Sequence, residues 1–295
     1  MTILRLVLNQ DECLMKNKEL QALIRLLDEP DHKIYDQIKS KIFDYGSDAI
    51  SELEDLWANS FDQLIQDRSL NLIHEIQFAS TSLALNKWAI KESDDLLKGF
   101  IIFSRYNYPD LDDEKMIGKT AKIIQDVWLE LNDKLTALEK IKVINHVFFS
   151  IHKFRGNKIN FYSPDNFAIN NVFESKIGNP ISLGVLYLAV CQSLKIPIKG
   201  VNLPKHFILA YLDENNENEV LFYINPFNKG AVFTKNEVSL FIKQLDIESK
   251  EEYFQACNHL IIMHRLITDM IFSYKKLGFM DKVEELKKLR LALQI

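Results

Sequence analysis

Three residues, Ser182, His206 and Asn225, occur in an order along the chain from which acyl-transfer chemistry can be built. That chemistry takes three parts. A thiol sits at the N-terminus of a buried helix, where the helix dipole lowers its pKa. A histidine on a neighbouring strand takes its proton, and an Asp or Asn on the next strand holds the imidazole in the right tautomer. Here Asn179-Pro180 opens a helix, with Asn179 as N-cap and Pro180 at the first helical position, and Ser182 falls in its first turn. His206 opens a β-rich stretch, His206–Tyr211, and Asn225 directly follows a second, Glu219–Ile224. An antiparallel hairpin places the start of one strand beside the end of the next, so His206 and Asn225 are expected side by side near the start of the 180–194 helix.

Each of these residues also has an ordinary role open to it. A serine in a first helical turn can satisfy helix-end amides, and a hydroxyl has no lowered pKa to help it as a nucleophile. A histidine beside Pro204 can hydrogen-bond to backbone, and Asn225 before Pro226 is turn chemistry. Asn160, Tyr162, Asn166 and Asn170, with Asn179, are candidates to line the same cleft, against turn and capping roles for each. The three cysteines, Cys13, Cys191 and Cys257, are too far apart for a disulfide framework or a zinc spacing. Cys191 lies on the Ser182 helix, but at about 100° and 1.5 Å per residue it faces the opposite side, roughly 13 Å further along. It reads as a small buried apolar side chain.

The elements that must position these residues follow from periodicity. The first 150 residues read as successive helices, with apolar positions such as Leu20, Leu23, Ile24 and Leu27 at helical spacing and a HEAT-like rhythm of short helices. Further helices fit Asp94–Ser104, Asp112–Asn132 and Thr136–Ser150. At Phe154 the character changes to loop formers. The helix Ile181–Leu194 is apolar nearly all round, which predicts burial on every side. Strands follow, then helices over Lys235–Leu245, Glu251–Leu277 and Met280–Leu293, the last two forming a hairpin broken at Gly278 and resembling one tetratricopeptide-type unit. The expected class is α+β and predominantly helical, in three regions: 1–150 helical, 151–233 an α+β core, 234–295 a helical tail.

The string Gly178-Asn-Pro-Ile-Ser-Leu183, Leu186-Tyr187, Ile196-Pro197, Gly200-Val-Asn-Leu-Pro204 and His206-Phe207 resembles the SirB/YchA-type transglutaminase-like proteins. Leu27-Asp-Glu-Pro-Asp31 and Tyr106-Asn-Tyr-Pro-Asp-Leu111 resemble that family's helical N-terminal region, and the final hairpin its tail. The resemblance implies a papain/transglutaminase-like core. It puts His206 at the family's histidine and Asn225 where the acid stands. It also puts the nucleophilic cysteine near Pro180, where this chain has none.

The remaining classes are narrowed by composition. With 36 basic and 41 acidic residues in 295, net charge −5, and no basic block, no nucleic-acid groove is expected. The longest apolar runs are too short for a bilayer, the N-terminal stretch lacks the form of a signal peptide, and a cytoplasmic protein is expected. His259 and His264 are five apart, off the same-face helical spacing, so no metal is expected, and no phosphate loop calls for a cofactor. Two readings remain: a non-catalytic scaffold or regulator that binds a protein or peptide, and a hydrolase or acyltransferase using Ser182 with His206 and Asn225.

Overall fold

A computed structural model describes residues 18–214, 216 and 219–294. Cys13, the N-terminal stretch and part of the 213–218 turn lie outside the described residues. The chain divides into two compact units, Met1–Leu83 and Ala84–Ile295.

In the first unit, helix α1 (18–24) is followed by α2 (His32–Asp44), α3 (Ile50–Asn59) and the start of α4 (Gln63–Lys91). The Asp31 side chain caps α2 by accepting from the Lys33 and Ile34 amides. Gly46 at φ +57° turns the chain between α2 and α3. Leu20, Ile24 and Leu27 are buried with Ile42, Leu53 and Leu72, as the helical spacing requires. The Arg68 guanidinium donates to the Leu27 and Glu29 carbonyls and lies over the Tyr35 ring, which satisfies backbone acceptors after α1.

The second unit is the α+β part. Helices α5 (Leu96–Ser104), α6 (Asp113–Glu130) and α7 (Ala137–Asn145) precede a two-residue parallel pair, β1 (Arg155–Gly156) with β2 (Ile177–Gly178), which flanks α8 (Ile169–Ser175). Helix α9 (Pro180–Ser193) then leads to the antiparallel sheet β3 (Ile198–Val201), β4 (Ile208–Leu212), β5 (Val220–Asn225), β6 (Ala231–Phe233), paired in that order. Helices α10 (Lys235–Gln244), α11 (His259–Leu277) and α12 (Met280–Leu291) complete the unit. The chain is thus a predominantly helical α+β protein.

Helix α9 is the spine. Every residue from Pro180 to Cys191 is buried, with α5, α6, α11, β3 and β4 packed around it. A fully apolar helix has no face to give to water, so it is stable only when covered on all sides. Gly184 makes one approach possible: a Cβ there would lie 2.6 Å from the ring of Phe207, the residue after His206.

Two helix boundaries and one strand start differ from the sequence reading. The segment predicted as one helix over Glu251–Leu277 is a 3₁₀ turn at Glu251–Phe254 and then α11 from His259. Between them the Cys257 amide donates to the Gly200 carbonyl, so the chain runs as an extra bridge beside β3 before Asn258 caps the helix. Helix α7 ends at Asn145 and passes into a π-helical turn, His146–Ile151. His206 precedes β4 by two residues instead of opening it.

Candidate functional site

The start of α9 is closed by a reciprocal cap. The Asn179 side chain accepts from the Ser182 amide at 2.8 Å, and the Ser182 hydroxyl accepts from the Asn179 amide at 3.1 Å. The same hydroxyl donates to the Asn179 carbonyl at 3.4 Å. Ser182 is fully buried, and its hydrogen bonds all run to Asn179; none runs to His206.

His206 is placed by a tight turn. The His206 amide donates to the Leu203 carbonyl, with Pro204 and Lys205 as the central residues. Lys205 adopts φ +59°, the left-handed conformation that a type II turn demands after a proline. The imidazole that emerges lies between the rings of Phe227 and Phe241, with centroids at 6.2 and 5.9 Å. Burial among these rings disfavours the charged form, and the nearby Arg265 cation adds to it. Together they lower the His206 pKa from 6.5 to about 4. The ring is neutral at physiological pH.

Asn225 ends β5, which pairs with β4 in the register Leu209 to Ile224, and its amide nitrogen lies 3.0 Å from His206 Nε2. The direction of this bond is set by backbone. Asn225 Oδ1 accepts from the Phe227 amide at 3.0 Å and the Asn228 amide at 3.2 Å, capping the Pro226–Asn228 turn. Rotating the side-chain amide by 180° would point its NH₂ at two N–H donors, so the oxygen stays on the turn and Nδ2 donates to His206. Nε2 is therefore the acceptor, and the proton of the neutral ring sits on Nδ1. An orienting Asn in a catalytic relay accepts from the histidine and leaves the far nitrogen's lone pair free to act as base. Here the polarity is reversed: the far nitrogen is a donor.

Asn179, Pro180, His206 and Phe207 line a cavity of about 380 Å³ with Phe161, Tyr162 and Phe167. Its opposite wall is helix α11, through Arg265, Asp269, Phe272 and Ser273. Arg265 Nε donates to Asp269 at 2.7 Å, and its Nη1 donates to Asn202 Oδ1 and the Leu203 carbonyl, bracing the turn that carries His206. Burial raises the Asp269 pKa, and the Arg265 partner pulls against that shift. Tyr162 and Phe272 pack at the mouth with centroids 5.6 Å apart, both partly exposed, and the Lys276 ammonium lies 3.9 Å from the Tyr162 ring centre.

The other singled-out asparagines lie elsewhere. Asn160 and Asn166 border a separate polar depression of about 400 Å³ with Asn157, Asp165 and Asn171. Asn166 is buried there and ties the loop together, donating to the Asn160 and Phe161 carbonyls and accepting from Asn157. Asn170 borders a third depression beside Tyr108 and Pro109. Arg265 and Asp269 were not singled out from sequence; the available signal was an i, i+4 acid–base pair in an amphipathic helix. Cys191 is fully buried, and burial pushes its thiol far up; burial pushes the Cys257 thiol up to about 12. Neither cysteine lines the cavity. No cluster of potential metal ligands occurs among the described residues, nor a helix long and apolar enough to cross a membrane.

The chain is 29% identical to a UPF0162 protein of Xylella fastidiosa over 147 residues, 50% of this chain and 51% of that one. It is 25% identical to a UPF0162 protein of Vibrio cholerae over 148 residues, 50% of this chain and 53% of that one. To F-box only protein 21 of Mus musculus it is 34% identical over 143 residues, 47% of this chain and 22% of that protein. The chain thus spans about half the length of these UPF0162 relatives. No solved structure matches it. Residues 114–268, which hold α9, the sheet and the Arg265 turn of α11, match the Transglutaminase-like superfamily, and the chain belongs to that superfamily.

Proposed function

We propose that this chain is a non-catalytic transglutaminase-like protein of the SirB/YchA type, a cytoplasmic scaffold or regulator that binds a protein or peptide in the cavity beside His206. The observation that carries the reading is the sense of the Asn225–His206 bond: with Asn225 Oδ1 committed to the Phe227 and Asn228 amides, the lone pair of His206 is taken up by Asn225 and the remaining ring nitrogen carries a proton. A general base needs that lone pair facing the nucleophile. Pro180, which falls near the family's cysteine position, has neither a thiol nor an N–H.

On this reading the helical 1–150 region and the tetratricopeptide-like 234–295 tail are flanking surfaces to the 151–233 core. α11 belongs functionally with the core, because it supplies one wall of the cavity. The F-box only protein relative carries its matching stretch as 22% of its length, so there the stretch is joined to other regions. A binding role inside a longer chain needs no turnover, and this is in keeping with a protein partner.

The alternative, a hydrolase or acyltransferase using Ser182 with His206 and Asn225, requires Ser182 to leave its cap. The test is an assay of the purified protein against broad ester, amide and acyl-transfer substrates, beside Ser182→Ala and His206→Ala. No turnover above the variants is expected. Robust wild-type turnover lost in both variants would overturn the binding reading and establish the serine-based one.

A further inference from the structure

The cavity beside His206 has a polar side and an apolar side. On the polar side, several donors lack protein acceptors among the described residues, and three of them are basic groups or the histidine: Nδ1 of His206, Nη2 of Arg265 and the Lys205 ammonium. Lys205 and Arg265 carry two positive charges against the single negative charge of Asp269, so the lining favours an anion. Asp269 uses one oxygen on Arg265, and its other oxygen has no protein donor among the described residues. That oxygen can accept one N–H. On the apolar side stand Phe161, Phe167, Phe207 and Phe272. About 380 Å³ is near the lower end of small-molecule sites, room for one residue-sized group and not for an extended strand.

We propose that this cavity captures the C-terminal residue of a partner chain: its carboxylate on His206, Lys205 and Arg265, its amide N–H on Asp269, and an aromatic or large apolar side chain among the phenylalanines. This rests on the non-catalytic reading and names its ligand. Three features act together. A carboxylate takes several charge-assisted donors at once, the free Asp269 oxygen suits the N–H of a terminal residue, and a ring fills the apolar side. The half-exposed Tyr162 and Phe272 at the mouth, with Lys276 over Tyr162, offer the preceding residues an aromatic platform. That platform favours a chain end over a free small acid, which would leave the Tyr162 ring and Lys276 at the mouth unused.

The test uses the full-length protein and calorimetric titration with four probes: N-acetyl-phenylalanine, its C-terminal amide, 3-phenylpropionate, and an acetylated tripeptide ending in phenylalanine with a free carboxylate. The tripeptide is expected to bind tightest, and N-acetyl-phenylalanine at least roughly tenfold tighter than its amide, because the amide removes the charge-assisted bonds. Lys205→Met and Phe272→Ala, both at partly or fully exposed side chains, should each weaken the tripeptide at least roughly fivefold with an unchanged circular dichroism spectrum. Equal binding of acid and amide, or no binding of any probe at millimolar concentration, would overturn the proposal. So would 3-phenylpropionate binding as tightly as the tripeptide, which would make the ligand a free acid. None of these outcomes touches the non-catalytic reading. That reading fails separately, if the protein hydrolyses the corresponding ester or amide.

Discussion

Replacing Asn225 with aspartate tests the polarity of the site with a single atom. In N225D one carboxylate oxygen keeps the Phe227 and Asn228 amides, and the other takes the place of the nitrogen now 3.0 Å from His206 Nε2. Two acceptors then face each other, so Nε2 must acquire a proton and the ring's lone pair moves to Nδ1. A full opposite charge at that distance is worth about 5 kcal/mol at an effective dielectric near 20, a ceiling of about four pK units. Carboxylate neighbours usually supply about one to three. The His206 pKa should therefore rise from about 4 to about 5–7. Long-range ¹⁵N–¹H correlation of the imidazole from pH 3.5 to 8 reads both tautomer and titration. The wild type should show the Nδ1–H form. A wild-type ring that is already Nε2–H, or that titrates near 6.5, would refute the reasoning. Stability must follow with the corresponding sign. The folded pKa lies below the unfolded value, so the wild type binds fewer protons folded than unfolded between 6.5 and about 4. Its stability is intact above 6.5 and falls by about 3 kcal/mol as the pH drops through that window, a loss that N225D should shrink.

Other substitutions probe the supports of the site. Ser182→Ala removes half of the α9 cap and leaves the buried Asn179 amide without its acceptor, so urea unfolding should show a loss of about 1–2 kcal/mol while ligand binding survives. A neutral result would mean the hydroxyl is not held in the cap. Gly184→Ala drives a methyl to 2.6 Å from the buried Phe207 ring, and the clash should outweigh the helix preference for alanine, for a net cost of about 1–3 kcal/mol; a stabilised variant would contradict the packing of α9 on the His206 turn. Peptide mapping after native-state alkylation should find Cys191 and Cys257 slow, since burial keeps both as thiols. Rapid labelling at Cys191 would overturn its assignment as a buried core residue.

Much of the fold was legible because its causes are local. A cap residue before a proline marks the start of α9, and a run without polar side chains can be stable only inside, as Pro180–Cys191 is. The order helix, strand, strand places His206 and Asn225 together once β4 and β5 pair antiparallel, because pairing joins the beginning of one strand to the end of the other. Where a distant partner decides, periodicity failed. The helix expected from Glu251 starts only at His259, because the backbone at Cys257 is taken up by Gly200, a partner 57 residues earlier in the chain.

The chemistry of the site depended still more on tertiary structure. The residue types Ser182, His206 and Asn225 leave both a catalytic and a binding reading open, since each type can serve either, and the absent cysteine favours binding. What bears on the choice is where single atoms point. The Ser182 hydroxyl turns back into the Asn179 cap, and the Asn225 oxygen is drawn onto two amides of the Pro226–Asn228 turn, which puts the imidazole proton on Nδ1. The opposite wall, Arg265 and Asp269, comes from a helix that composition marks only as partly apolar. The sequence by itself determined the superfamily core and the backbone neighbourhood of its histidine, because caps, turns and periodic burial act over a few residues. Only the tertiary structure decided the donor polarity of that histidine and the charge that faces it, because hydrogen-bond direction and desolvation are set by groups the chain brings together from far apart.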